Sequence, residues 1–183
     1  MAVADACVLV PAALCDFLLR AASAGLYRVR WTDDILDEVR RTLVGDLGKS
    51  DVQAERRIAA MKRAFPDALV ASHRRLIAAM PNEVDAKDRH VVAAAVAAGA
   101  SVIVTSNLRD FPAPALLLLG IEAQSPDDFL THLFALDAEA MKAIIVKQAD
   151  ALQTPPMTPL DVVEALRRDA PGIASLLEQA MRT

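Results

Sequence analysis

The sequence has few aromatic residues: one Trp, one Tyr and five Phe among 183 residues. Proteins that grip single-stranded nucleic acid usually stack bases on such rings. Tyr27 and Trp31 lie in a basic part of the chain, but large rings near apolar residues serve more often as core than as a platform for bases. The composition therefore argues against a binding mode that rests mainly on base stacking.

Cysteine and long hydrophobic runs are also scarce. The two cysteines, Cys7 and Cys15, stand among apolar residues, which predicts reduced packing thiols. The longest apolar runs, 91–104 and 113–121, are interrupted by Gly, Ser or Pro and fall short of the ~18–20 residues that span a bilayer. No Lys or Arg precedes Arg20, so the basic start of a signal peptide is missing. We therefore predict a cytoplasmic protein that does not enter the membrane.

The three histidines do not have the spacing of a zinc site. His73, His90 and His132 form neither an i, i+4 pair nor the ligand pattern of a zinc finger. We expect each of them to be a structural or surface residue.

Charge is distributed unevenly along the chain. The net charge is −4, yet residues 20–89 carry 14 Lys and Arg against 11 Asp and Glu, while the rest carry 6 against 13. A basic middle segment suits contact with phosphates. Ordinary solvated helix faces would give the same pattern, and on charge alone this interpretation is the favoured one.

Composition divides the chain into an α/β part at 1–125 and a helical part at 126–183, in which 153–158 is the one plausible linker. The local signals are hydrophobic periodicity, helix caps and turn residues. They predict helices at 12–24, 50–64, 73–80, 91–98, 114–120, 126–135, 137–152, 159–169 and 172–181, a further helix capped by Thr32, strands at 68–71, 101–104 and 121–124, and either a strand or an extended link at 26–31.

The stretch 81–112 organises the first part of the chain. An acidic loop precedes a helix of Ala and Val, Gly99 ends this helix, and a short buried strand leads to a polar turn with Asn107 and Asp110. Ligands of open α/β sheets bind beyond the carboxyl ends of the strands. The polar turn therefore occupies the edge of the sheet at which a ligand is expected.

Several carboxylates fall at strand ends or helix starts that an α/β fold brings to this same edge. They are Asp5, Glu38, Asp88 and Asp110, with Asp85 and Asn107 beside them. Three carboxylates about 6 Å apart would repel each other by about 3 kcal/mol per pair at an effective dielectric of 20. A divalent cation makes such a cluster tolerable, and oxygen ligands without His or Cys favour Mg²⁺ or Mn²⁺. For Glu38 alone, helix periodicity favours a border residue paired with an Arg.

Four motifs occur around these acids in a fixed order: VxDxxVL at 3–9, ILDEVRR at 35–41, DxxDRHVVAAA at 85–95 and VTSNLRDF at 104–111. Together they closely resemble the PIN-domain ribonucleases, and above all the VapC-type toxins of bacterial toxin–antitoxin pairs. The resemblance covers about residues 2–125. It implies a three-layer α/β/α fold with a four- or five-stranded parallel sheet, and the helical tail resembles an extension carried by some members.

The resemblance also implies roles for individual residues. Asp5, Glu38 and Asp88 correspond to metal-binding catalytic acids, and Asn107 with Asp110 in support stands at the fourth position, where many relatives have Asp. Two further residues support this set: Thr105 matches a hydroxyl that holds an acid or the phosphate, and Asp85 is either a more distant acid or a helix-start residue. The metal ligands that the resemblance implies are Asp5, Asp88 and Asn107.

The function that the resemblance implies is endoribonuclease activity dependent on Mg²⁺ or Mn²⁺. Water activated by the cation would attack phosphorus in line and expel the 3′ oxygen, leaving a 5′ phosphate. A small antitoxin, a homodimer and recognition of RNA by shape, as in a structured loop such as that of tRNA, are expected from the same group of toxins.

Two other functions fit parts of the sequence. A PIN-like module that binds RNA or protein without catalysis is favoured by the uncharged Asn107. A phosphotransfer enzyme of the haloacid-dehalogenase or receiver type would need Asp-x-Asp near the first strand or a lone phospho-acceptor Asp with a Lys. The chain has Cys7 where the second Asp of the first pattern would stand.

Overall fold

The structure is a computed structural model that describes residues 1–182, and it forms two compact units. The first unit combines residues 1–10 with 28–123, and the second combines residues 11–27 with the described residues from 124 onward. The helix at Ala12–Ser23 thus belongs with the helical tail, although it lies within the segment predicted as α/β. The assignment of 1–125 as a nuclease domain and 126–183 as an extension stays a prediction.

The first unit contains a four-stranded sheet with the order β2-β1-β3-β4. Its elements are β1 (Ala2–Ala4), α1 (Ala6–Leu9), β2 (Val29–Arg30), α3 (Asp33–Gly45), α4 (Asp51–Ala64), α5 (Arg89–Ala98), β3 (Val102–Val104), α6 (Ala113–Leu117), β4 (Glu122–Gln124, whose last residue is assigned to the second unit) and 3₁₀ helices at Pro66–Ala68, His73–Ala79 and Leu108–Asp110. β1 pairs in parallel with both β2 and β3, and Val3 lies opposite Ile103. The predicted α/β/α fold is confirmed, and the sheet has four strands.

The central strand and the helix on it explain why the apolar runs are continuous. All three residues of β1 are buried, as expected for a parallel strand covered on both faces. α5 contacts β1, β2 and β3, and Val91 to Ala95 are completely buried. The small side chains let this helix approach the sheet closely, and Gly99 ends it with a φ of 64°.

Two local predictions between α4 and α5 are wrong. Residues 68–71 form no strand, because Leu69 makes only an isolated parallel bridge to Trp31 between two 3₁₀ turns. His73–Ala79 is a 3₁₀ helix and not an α-helix. The ring of His73 holds the start of this segment by contacts with Val70 O and the Asp34 carboxylate, which sequence periodicity cannot reveal.

The second unit is entirely helical within the described residues. It contains α2 (Ala12–Ser23), α7 (Pro126–Leu136), α8 (Ala138–Ala151), α9 (Pro159–Leu166) and α10 (Pro171–Arg182). The Gln148 amide donates to Ala13 O at 3.0 Å, which ties α8 to the start of α2. The Asp127 carboxylate accepts hydrogen bonds from the backbone of Gly172 and Ile173 and so caps α10. Across residues 1–182, each helix falls short of the length and apolar character that crossing a bilayer requires.

Candidate active site

A cleft of about 440 Å³ in the first unit brings together residues from four distant segments. Its lining consists of Asp5, Ala6, Cys7, Val10, Glu38, Arg41, Thr42, Asp88 and Asn107. Asp5 follows β1, Glu38 belongs to α3, Asp88 precedes α5 and Asn107 follows β3. Residues up to 102 positions apart therefore meet at the carboxyl edge of the sheet, where the sequence predicts a ligand.

Asp5 is held in a single orientation by its neighbours. The residue is 5% exposed and caps α1. Its Oδ1 accepts the Ala6 amide at 2.7 Å, and its Oδ2 accepts the Thr105 hydroxyl at 2.7 Å and the Cys7 thiol at 3.2 Å. These three donors satisfy both carboxylate oxygens and fix the direction in which Asp5 faces the cleft.

Thr105 connects the ends of β1 and β3. It is fully buried. Its hydroxyl donates to Asp5 and accepts a hydrogen bond from the backbone N–H of Asn107 at 3.1 Å. Of the two roles that the sequence leaves open for this hydroxyl, the contact with an acid is the one present in the structure. Thr105 thereby fixes both Asp5 and the turn that carries Asn107.

Cys7 is a cleft residue that the sequence analysis missed. Its sulfur also accepts the Ser106 amide at 3.2 Å, and burial followed by the charge of Asp5 raises the pKa of the thiol to about 11. The thiol is therefore protonated at neutral pH and can act as a donor to Asp5. The signal in the sequence that could have placed Cys7 in the cleft is its position two residues after Asp5.

Asp88 has the opposite surroundings from Asp5. It stands at the N-cap of α5 without making a capping hydrogen bond, and its buried Oδ2 has no hydrogen-bond partner among the described residues. Burial raises the pKa of Asp88 to about 6; Lys87 lowers it, while Asp110, Asp5 and Asp85 raise it further. The carboxylate is thus under-compensated and suited to a cation.

Glu38 occupies the border of the buried face of α3, as its periodicity predicts. The expected Arg partner is present but distant, since Arg41 Nη2 lies 3.8 Å from Glu38 Oε1. His90 Nε2 is closer, at 3.1 Å, although its N–H does not point along a hydrogen bond. Burial disfavours the charged imidazole, but contact with Glu38 outweighs this and raises the pKa of His90. The sequence predicts a structural or surface residue at His90, whereas the structure places its ring beside the cleft carboxylate of Glu38.

Asp110 and Asp85 lie outside the cleft lining. Asp110 is within 3.4 Å of Lys87 Nζ, and the same ammonium lies 3.8 Å from Asp88, so Lys87 bridges the two acids. Asp85 is exposed and its Oδ1 accepts the Lys87 amide at 3.0 Å. This contact is typical of a residue that starts a helical turn.

The expected cluster of three carboxylates is not found. Within residues 1–182, no group of three His, Cys, Asp or Glu could hold an ion. The Glu38 carboxylate contacts His90 at 3.1 Å, and the Asp110 carboxylate contacts Lys87 at 3.4 Å. The oxygens of Asp5, Asp88 and Asn107 still suit Mg²⁺ or Mn²⁺, because Mg²⁺ binds through one or two carboxylates and keeps several waters. The unpartnered Oδ2 of Asp88 is the feature that fits such an ion.

A three-layer α/β/α sheet with an acidic cleft at its carboxyl edge defines the class of this protein. Residues 1–109 match the PIN domain, and the chain belongs to this family. Residues 126–179 match the VapC50 C-terminal domain. The predicted resemblance, including the helical extension, is thereby confirmed.

One curated relative is "Putative ribonuclease VapC50" of Mycobacterium tuberculosis. The chain is 49% identical to it over 100 residues, which cover 55% of this chain and 58% of the relative. The match therefore spans somewhat more than half the length of that protein. No solved structure matches the chain.

Proposed function

We propose that the protein is an endoribonuclease that depends on Mg²⁺ or Mn²⁺ and is the toxin of a VapBC-type toxin–antitoxin pair. The observation that carries the proposal is the cleft in which Asp5, Glu38, Asp88 and Asn107 meet. Similarity to a relative whose name describes a ribonuclease supports RNA as the substrate. The buried Oδ2 of Asp88, which has no hydrogen-bond partner among the described residues, supports dependence on a cation.

Asp5, Asp88 and Asn107 would hold the cation, with Asp110 in support. When bound, such an ion activates water and stabilises the charge that develops on the phosphate and the leaving oxygen. The protein contributes by fixing its ligands in advance. Because Thr105 and Ala6 already hold Asp5, little conformational entropy of this side chain would be lost when the cation binds.

Glu38 is suited to accept a proton from the attacking water. Its side chain is 32% exposed, against 14% for Asp88, so it is the more accessible carboxylate of these two in the cleft. Arg41 lines the same cleft and Lys87 stands at its edge. Both cations are placed to contact RNA phosphates, which would add an affinity that falls with salt.

The test is cleavage of single-stranded and structured RNA with Mg²⁺ or Mn²⁺, with and without EDTA. We expect Asp5→Asn and Asp88→Asn to lose cleavage, while Glu55→Gln, an exposed acid on α4, keeps it. Products should carry a 5′ phosphate, and an RNA with a 2′-deoxy sugar at the cleaved bond should still be cut, because the 2′-OH is not the nucleophile. Cleavage that survives in both Asn variants rejects the proposal.

The proposed partners are a small antitoxin protein and a second copy of the chain, and the proposed compartment is the cytoplasm. Leu117 and Leu118 are 76% and 86% exposed and offer an apolar surface for association. Light scattering of the purified chain, alone and with the product of a neighbouring short reading frame, measures both associations. A monomer that forms no complex would reject them.

A second candidate is a PIN-like module that binds RNA or protein and has weak or no catalysis. The uncharged Asn107 in the cleft favours it, since an amide attracts a cation less than a carboxylate does. RNA binding in EDTA without products, together with a gain of cleavage in Asn107→Asp, would support this alternative.

A further inference from the structure

His90 is a buried histidine whose ring nitrogens make no aligned hydrogen bond with the described residues. It is the second residue of α5 and only 8% exposed, two positions after Asp88. Both Nδ1 and Nε2 are buried without an aligned hydrogen-bond partner among residues 1–182. An unpaired buried polar group is costly, so a residue with no role beyond packing would be expected to satisfy its nitrogens or to be apolar.

The other buried histidine of this unit provides the comparison. His73 is 3% exposed and uses both nitrogens, with Nδ1 at 3.1 Å from Val70 O and Nε2 at 2.6 Å from Asp34 Oδ2. It has the contacts expected of a structural histidine. His90 differs because the nearest acceptor to its Nε2 is a cleft carboxylate.

That carboxylate is Glu38, whose Oε1 lies 3.1 Å from His90 Nε2. Glu38 has several rotatable bonds, so holding it in one place requires a restraint from the protein. Arg41 is a poor restraint, because it lies 3.8 Å away and its side chain is 68% exposed. The His90 ring is 10% exposed and comes from a helix packed on the sheet, so its position is well defined.

We propose that His90 is a positioning residue that holds the Glu38 carboxylate in the cleft by donating from Nε2. This inference rests on the proposed function of the cleft, but it concerns a contact that exists before any cation or RNA binds. The misaligned geometry fits this role, since hydrogen bonds at catalytic groups often tighten only when the complex forms.

The first test uses three variants and the RNA cleavage assay. His90→Leu replaces the imidazole by an apolar side chain of similar bulk and so removes the donor, and we expect kcat to fall by about 10- to 100-fold. His90→Gln keeps a donor and should recover most of this loss. His73→Leu is the matched control: it should lower the thermal midpoint but leave kcat unchanged at temperatures where it is folded. Equal loss in His90→Leu and His90→Gln would overturn the proposal.

A double-mutant cycle tests whether His90 acts through Glu38. In a Glu38→Gln background, His90→Leu should reduce kcat little further, because the group that it positions has already lost its charge. Independent, multiplicative losses would contradict the proposal and leave His90 as a residue of general packing.

A readout without cleavage separates this inference from the proposed function. In ¹⁵N-histidine NMR spectra of the cation-free protein, Glu38→Gln should shift the Nε2 signal of His90 and leave those of His73 and His132 in place. An unshifted His90 signal overturns the contact. A wild-type protein that cleaves no RNA would reject the proposed function, whereas the spectrum would still decide whether His90 holds Glu38.

Discussion

Two carboxylates of the first unit, Asp34 and Asp88, are treated in opposite ways by the same fold. The Asp34 carboxylate is bound by Arg74 Nη2 at 2.6 Å and by His73 Nε2 at 2.6 Å, and the hydrogen bond from Arg74, followed by that from His73, lowers its pKa to about 2. Asp88 has a buried oxygen without a partner, and burial raises its pKa to about 6. Asp34 is fully paired, whereas a buried oxygen of Asp88 makes no hydrogen bond, which is the difference expected if Asp88 is a ligand of the proposed cation.

The same contrast predicts that mutations at the Asp34 contacts, on the structural side of the unit, and mutations at the cleft change different properties. Removal of the Asp34 contacts should affect stability and leave activity intact. Removal of Asp88 or of its neighbours should affect activity and leave the fold intact or more stable.

The largest effect is expected for Asp88→Asn. Cleavage should fall by at least about 100-fold, because the variant loses a charged ligand. In EDTA, the same variant should be more stable than wild type by about 1 kcal/mol at pH 7.5, after discounting for partial solvation of the carboxylate. RNA cleavage and denaturant unfolding measure the two changes, and a loss of both activity and stability would place Asp88 on the structural side.

The pH dependence of that stability difference follows from the sign of the pKa shift. Because the folded pKa of Asp88 is raised to about 6, folded protein binds this proton more tightly than unfolded protein. The contribution of this proton to the free energy of unfolding is fully present below about pH 4 and is lost as pH rises through about 6. The advantage of Asp88→Asn should therefore shrink between pH 7.5 and pH 4. A constant difference across this range would contradict the assigned pKa.

The second largest effect is a loss of stability in His73→Ala. The variant removes a buried ring and both of its hydrogen bonds, and unfolding should become easier by about 2–3 kcal/mol. Urea unfolding measures this change. At temperatures where the variant is folded, its kcat should equal that of wild type; a lower kcat would link the two sides of the unit.

Thr105 gives an intermediate test within the cleft. Thr105→Val removes the donor to Asp5 at nearly constant volume, and we expect about a tenfold loss of cleavage. Thr105→Ser keeps the hydroxyl and should restore most of the activity. Single-turnover rates at saturating Mn²⁺ compare the three proteins. Equal activity of Val and Ser variants would show that the Asp5 contact is dispensable.

The smallest effect concerns acid stability through Asp34. Since its folded pKa is lowered to about 2, its contribution is present above the unfolded value of about 4 and is lost as pH falls towards 2. Asp34→Asn should be less stable than wild type by about 1 kcal/mol at pH 6, with discount for solvent screening. Urea unfolding at pH 6 and pH 3 should show a smaller difference at the lower pH.

The sequence was sufficient for features that are encoded locally or by motif. Caps at Thr32 and Ser50, the end of α5 at Gly99 and the strand at 101–104 all follow from short-range chemistry. The convergence of the acids on one edge followed from the rules of parallel sheets.

Features that depend on tertiary partners were not accessible to the same reasoning. The helix at 12–24 carries no local sign that it belongs with the tail. The conformation of residues 68–80 depends on the contact of His73 with Asp34, which lies 39 positions away in the sequence. At the cleft, Glu38 lies 3.1 Å from His90, and outside its lining Asp110 lies 3.4 Å from Lys87. Side-chain partners of this kind are chosen by packing and not by spacing.

The most direct test of the central claim is a Mn²⁺ titration of cation-free protein, followed by the electron paramagnetic resonance signal of free Mn²⁺. Wild type and His73→Leu should bind Mn²⁺ alike, and Asp5→Asn and Asp88→Asn should each lose most of that binding. If both Asn variants bind Mn²⁺ as well as wild type does, the cleft is not a cation site.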